Sequence, residues 1–173
     1  TEENTLSLHD ALPILFFLLM TCNLQAQDDQ GRRRVEILHS DSMKYERVDG
    51  ITRNRLNGNV RLMHNDLYMN CDSAWYFIET NVVLAYNNIH IWQGDTIHIR
   101  GQYLSYNGDT RKAVITDSVV LSDKEMQLFT DEIDYDVNTQ VANYDTGGRI
   151  LSGDNTLTSI VGIYYSDRKM LHF

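Results

Sequence analysis

Few residues of this sequence stand where they could do chemistry. His90 and His98 flank the turn signal Gln93-Gly94-Asp95, and two imidazoles brought together across such a turn could share a metal ion. A third ligand is not evident, and both share a face with Arg100 and Thr96, so a metal centre is not supported. Asp134-x-Asp136-x-Asn138 followed by Asp145 copies part of a calcium loop, but it lacks the turn glycine and the closing glutamate. An exposed acidic face is the simpler reading. Ser, His and Asp all occur without a nucleophile elbow, and no glycine-rich loop could cradle a phosphate. The pattern therefore points to no enzyme and no cofactor.

The elements that carry these residues are strands. Between Asn81 and Asp109, Ile89, Ile91, Ile97 and Ile99 alternate with His90, Trp92, His98 and Arg100, the period of a strand with one apolar and one polar face. The stretch reads as a β-hairpin in which Ile91 faces Ile97, Ile89 faces Ile99 and His90 faces His98. Gly101 sits where the apolar parity changes, the mark of a bulge or bend. The unit recurs. Tyr45, Tyr76, Tyr106, Tyr135 and Tyr165 lie 31, 30, 29 and 30 residues apart. Val60-Arg61-Leu62, Ile89-His90-Ile91, Val119-Val120-Leu121 and Arg149-Ile150-Leu151 keep the same beat, each followed by a polar turn. From Val35 onward there is no proline and no sustained helical period, which makes this part all-β.

The start of the chain reads differently. Residues 1–27 contain the apolar core Ile14-Leu15-Phe16-Phe17-Leu18-Leu19-Met20 and a small, polar exit, Thr21 to Gln27. That is the length of a signal-peptide core, and a membrane span needs roughly 20 residues. Residues 1–13 resemble a translated adaptor sequence rather than a native n-region. Cys22 is poorly placed for lipidation after Leu19-Met20-Thr21. Residues 28–34, with Arg32-Arg33-Arg34, read as a linker, and 35–173 as one domain, truncated at its C-terminus. The chain carries 15 basic and 24 acidic residues, a net charge of -9. Without Glu2, Glu3 and Asp10 the balance is 15 against 21, or -6, which excludes a nucleic-acid binder. Cys71 is the single cysteine beyond the leader, so no disulfide forms within the domain.

The repeated hairpins place Val60, Leu62, Leu67, Met69, Ile89, Ile91, Ile97, Ile99, Val119, Leu121, Met126 and Leu128 on one face, with Leu151 and Leu157 continuing it. Stacked units align these side chains into one apolar stripe. A packed core and a groove for lipid chains both require that stripe, and the sequence does not separate them.

Several segments carry a family resemblance: Leu56-Asn57-Gly58-Asn59-Val60-Arg61-Leu62, Asp72-Ser73-Ala74-Trp75-Tyr76, Asn88-Ile89-His90-Ile91, Gly94-Asp95-Thr96-Ile97 and Gly101-Gln102-Tyr103-Leu104-Ser105-Tyr106. Their order and spacing resemble the OstA-like (organic solvent tolerance) N-terminal domain of the lipopolysaccharide transport proteins LptA and LptD. The resemblance departs at Asp145-Thr146-Gly147-Gly148, which replaces the Leu-x-Gly-Asn run of the earlier unit. It implies an open antiparallel β-jellyroll, V-shaped and LptA-like, built from two-strand repeats of the spacing above. It implies a periplasmic, outer-membrane-associated module that shields the acyl chains of lipopolysaccharide with the twelve apolar residues named first. It also implies partners docked edge to edge, either other Lpt domains or further copies of this chain. The alternative is an exported structural or adhesive β-repeat with a packed core and no lipid.

Overall fold

This computed structural model describes residues 34–95 and 97–173. The expected leader, 1–27, and all of the expected linker except Arg34 lie outside the described residues, as does Thr96. Every described element is a β-strand: β1 (Glu36–His39), β2 (Ser42–Val48), β3 (Ile51–His64), β4 (Leu67–Phe77), β5 (Val82–Gln93), β6 (Ile97–Asn107), β7 (Lys112–Ser122), β8 (Met126–Asp136), β9 (Val141–Tyr144), β10 (Gly148–Ser152), β11 (Asn155–Ser159), β12 (Gly162–Tyr165) and β13 (Met170–His172). All pairings are antiparallel and form one open ladder from β1 through β3 to β9 and on to β12 and β13. The all-β class expected from the alternation and the open antiparallel sheet implied by the resemblance are both found.

What shapes the sheet is a corner in the middle of each long strand. Strands β3, β5 and β7 each carry two consecutive residues at positive φ: Gly58-Asn59, Asn87-Asn88 and Asp117-Ser118. At each pair the register slips, so the strand holds one residue more than its neighbours across the ladder. Gly, Asn and Asp are the residues that enter this left-handed region at least cost. The alternate strands answer with a change of parity. In β4 the buried positions run Leu67, Met69, Cys71 and then Ala74, Tyr76; in β6 they run Ile97, Ile99, Gly101 and then Leu104, Tyr106. Neighbouring corners are tied by side chains, Asn59 to Asp41 at 2.8 Å and Asn88 to Asp72 at 2.8 Å.

The corners divide the sheet into two arms. Residues 60–64, 67–71, 89–93, 97–100, 119–122 and 126–130 form the first, with β1 on one side and β10 and β11 on the other. Residues 51–57, 73–77, 82–86, 103–107, 112–116 and 132–136 form the second, with β2, β9, β12 and β13. The chain changes arms between β9 and β10 through Asp145-Thr146-Gly147, where the sequence departs from the family pattern. The arms face each other. Tyr106 on β6 hydrogen-bonds to His64 on β3 at 2.6 Å, although three ladder steps, about 14 Å in a flat sheet, separate those strands. Only a sheet folded onto itself brings the two together.

The hairpin of β5 and β6 differs from expectation in register. Ile91 pairs with Ile99, Gln93 with Ile97, and His90 with Arg100 rather than His98. The loop is shorter than the alternation suggested, because Gly94 adopts φ +56 and closes a tight connection. A slip of two residues leaves every side chain on its original face.

Gly101 is required where β6 turns its corner. A Cβ there would come within 2.5 Å of Ile115 Cγ2 and 3.1 Å of the Thr116 carbonyl on β7. We expect Gly101→Ala to lower the stability measured by urea denaturation by about 1–3 kcal/mol, as overpacking of a closed interior does.

Candidate functional site

The candidate site is the space between the arms. Of the twelve residues singled out from the sequence, eleven point inward with at most 2% of their surface exposed: Val60, Leu62, Leu67, Met69, Ile89, Ile91, Ile97, Ile99, Val119, Leu121 and Leu128. Met126 packs against them from a partly buried position. The second arm supplies the opposing wall from Leu56, Ala74, Val83, Ala85, Leu104, Ala113, Ile115 and Ile133. Each fully buried Ile or Leu contributes about 1.5–3 kcal/mol relative to exposure, so contact between the walls is a main source of stability.

The last repeat departs from the expected stripe. Ile150, not Leu151, is the buried residue of β10, because β10 pairs Ile150 with Leu128. Leu157 pairs with Ile150 and shares its face, but β11 has no further strand beside it among the described residues, which leaves Leu157 43% exposed.

One edge of this interior is lined by tyrosines. The Tyr106 hydroxyl lies 2.6 Å from His64 Nδ1, that of Tyr135 donates to Gln93 Oε1 at 2.9 Å, and that of Tyr164 donates to Asp123 Oδ2. Each pair joins the second arm to the end of a strand in the first, across three steps of the ladder. Burial pushes the phenols of Tyr106 and Tyr135 up to about 12, and burial with the Asp123 carboxylate raises that of Tyr164 further. Outside this row lie two ion pairs, Arg111 with Asp66 at 2.8 Å and Lys169 with Glu125 at 3.0 Å. Gln93 also donates to Asp66 at 2.6 Å, and it joins Arg111 in holding that carboxyl below its usual range.

The tyrosine beat was visible in the sequence, but two of its members were misplaced. Tyr45 is 64% exposed on β2, and Tyr164 rather than Tyr165 is the buried residue of the last unit. His64, Gln93 and Asp123 carried no signal as partners. Only their recurrence every 29 or 30 residues, some 41 or 42 before a tyrosine, could have shown them.

The residues weighed for chemistry are placed elsewhere. His90 and His98 lie on the outer face, Nε2 to Nδ1 at 3.0 Å, with His90 also against Trp92. Among the described residues no group of three or more His, Cys, Asp or Glu could hold a metal. Asp136 caps its own turn by accepting from the amides of Asn138 and Thr139, while Asn138 donates to the Thr110 carbonyl of the preceding turn. That accounts for Asp136 and Asn138 of the calcium-like spacing. Cys71 is buried beside the corner of β4, where burial, and then Asp72, push its thiol up to about 12. Such a thiol is a poor nucleophile.

The sequence profile described as OstA-like protein matches residues 32–173, most of the chain. The chain belongs to the OstA-like family. Its fold is similar to that of LptH from Pseudomonas aeruginosa, described as the LptA-homologous periplasmic component of the conserved lipopolysaccharide transport device. The TM-score is 0.58 at 15% identity, over 74% of this chain and 95% of that one. No curated protein matches the sequence. The OstA-like element Leu56 to Leu62 now has a physical meaning: its Gly58-Asn59 is the corner that sends β3 from one arm to the other.

The outer imidazole pair makes stability depend on pH. Burial, then Arg100 and His98, lower His90 to about 4. An unfolded chain protonates this residue below about 6.5. Between those values the unfolded state binds more protons, so stability falls as pH falls. Urea denaturation at pH 7.5 and 4.5 is expected to show a smaller loss of stability for His90→Gln than for the parent chain.

Proposed function

We propose that this chain is a lipopolysaccharide-binding transport or outer-membrane assembly module of the periplasm, which shields acyl chains from water between its two arms. The observation that carries the reading is the apolar interior, which runs unbroken across successive units of an open ladder. Membership of the OstA-like family and the fold shared with LptH support it. An acyl chain makes no directional demand, so Ile, Leu, Val and Met suit it, and each methylene buried contributes about 0.8 kcal/mol. The role needs no bond made or broken by this protein. Edge strands give it partners. The first arm is bordered by β1 and β11 and the second by β2 and β13, with Leu38, Met43, Tyr45, Leu157 and Met170 exposed along them. Such edges take up strands of neighbouring OstA-like domains or of another copy.

The near-complete burial of the interior favours one rival, an exported structural repeat whose arms never part. Photo-crosslinking in cells separates the two. A photoreactive residue at Ile91, inside, is expected to capture lipopolysaccharide, and one at His90, outside, is not. A folded, exported protein that yields no adduct at Ile91 would sink the lipid reading, and equal capture at both sites would sink the assignment of the interior as the site.

A further inference from the structure

The two long edges of the interior are closed in different ways. Along one, β3 to β8 each pass from arm to arm through a corner, so that edge cannot part while the strands remain paired. Along the other, among the described residues, it is side chains, turns and the residue before β1 that meet: Val35 N–H with Asn81, Tyr106 with His64, Tyr135 with Gln93, Tyr164 with Asp123, and outside them Arg111 with Asp66 and Lys169 with Glu125. These are polar contacts that water or a polar ligand can replace one for one. Behind them lies the apolar space.

We propose, resting on the lipid-carrying role above, that this tyrosine-lined edge is the seam through which an amphiphile inserts. The arms part there, the acyl chains occupy the interior, and hydroxyl groups of the ligand's sugar head take over the hydrogen bonds that His64, Gln93 and Asp123 make to the phenols in the closed state. Tyrosine suits the position, since its ring packs among apolar groups while its hydroxyl reaches the wet side. Gln93 Oε1 and Asp123 Oδ2 already accept from hydroxyl groups, those of Tyr135 and Tyr164. Beside Tyr164 the same combination surrounds a cavity of about 230 Å³, with Met126, Ile150 and Leu171 as apolar wall and Asp123, Tyr164 and Lys169 as polar rim. At roughly 30 Å³ per water-sized group, it has room for a short stretch of chain.

The test uses the full chain with Cys71→Ala and Leu121→Cys, which places a reporter thiol inside the interior next to the seam. Its reaction with a maleimide, read by peptide mass spectrometry, measures parting of the arms, and fluorophore-tagged lipopolysaccharide measures uptake. Tyr106→Phe, Tyr135→Phe and Tyr164→Phe should each raise both rates by about fivefold to tenfold, while Tyr68→Phe, on the outer face of β4 against Trp92, changes neither. A second arm keeps the tyrosines. Asp66→Cys with Arg111→Cys, in a Cys71→Ala background and bridged by a short reducible bis-maleimide, should lose uptake and regain it on reduction. Unchanged labelling and uptake in the phenylalanine variants, with uptake surviving the bridge, would overturn the seam and leave the lipid-carrying role standing. Faster labelling without lipopolysaccharide uptake in any variant or in the parent would overturn that role and the proposal with it. Where a phenylalanine variant does not fold, the surface bridge decides.

Discussion

The left-handed pairs at Gly58-Asn59, Asn87-Asn88 and Asp117-Ser118 fix the geometry on which the remainder of the molecule depends. An antiparallel sheet with one apolar face must cover that face, and a chain with no described helix has only its own sheet to cover it with. Bending every long strand at one level solves this. The price is one extra residue in alternate strands, and it is taken by residues able to hold positive φ. Everything inward of that line follows: the parity change at Gly101, the opposed walls, and the approach of Tyr106 to His64 across strands that are not paired with each other.

Closure of the two edges then differs in kind. The corner edge is held by backbone continuity and by Asn59 and Asn88 reaching neighbouring carboxylates. The opposite edge is held by phenols against a histidine, an amide and a carboxylate, with partly exposed ion pairs outside. Exposed ion pairs contribute at most about 1 kcal/mol each, so the buried phenols carry most of the closure. Stability of the sheet and accessibility of its interior thus rest on different residues.

The alternation of Ile89, Ile91, Ile97 and Ile99 was enough to assign strands, faces and an all-β class, because burial on one face writes a period of two into the sequence. The 30-residue beat gave the repeat. Register was not legible, since a slip of two residues preserves parity and nothing in Gln93-Gly94-Asp95 announces where the hairpin closes. Nor was the closing edge, because His64, Gln93 and Asp123 look like ordinary turn-flanking polar residues until the sheet folds. The corner before β10 failed for a third reason: Asp145-Thr146-Gly147 does by a break between strands what the earlier corners do within one, and so Leu151 was taken for Ile150.

One set of backbone contacts bears on how such a protein could change length. Gly108 donates to the Asn81 carbonyl, Val137 to that of Arg111 and Ser166 to that of Gln140, so each turn of the second arm rests on the turn before it. Asn81, Arg111, Gln140 and Lys169 all sit at positive φ, repeating at the period of the sheet. Every unit therefore offers its successor the same carbonyl in the same orientation. A gene duplication of one whole period would extend the molecule without a new interface, whereas a gain or loss of any other length would leave a carbonyl and a tyrosine facing the wrong partners.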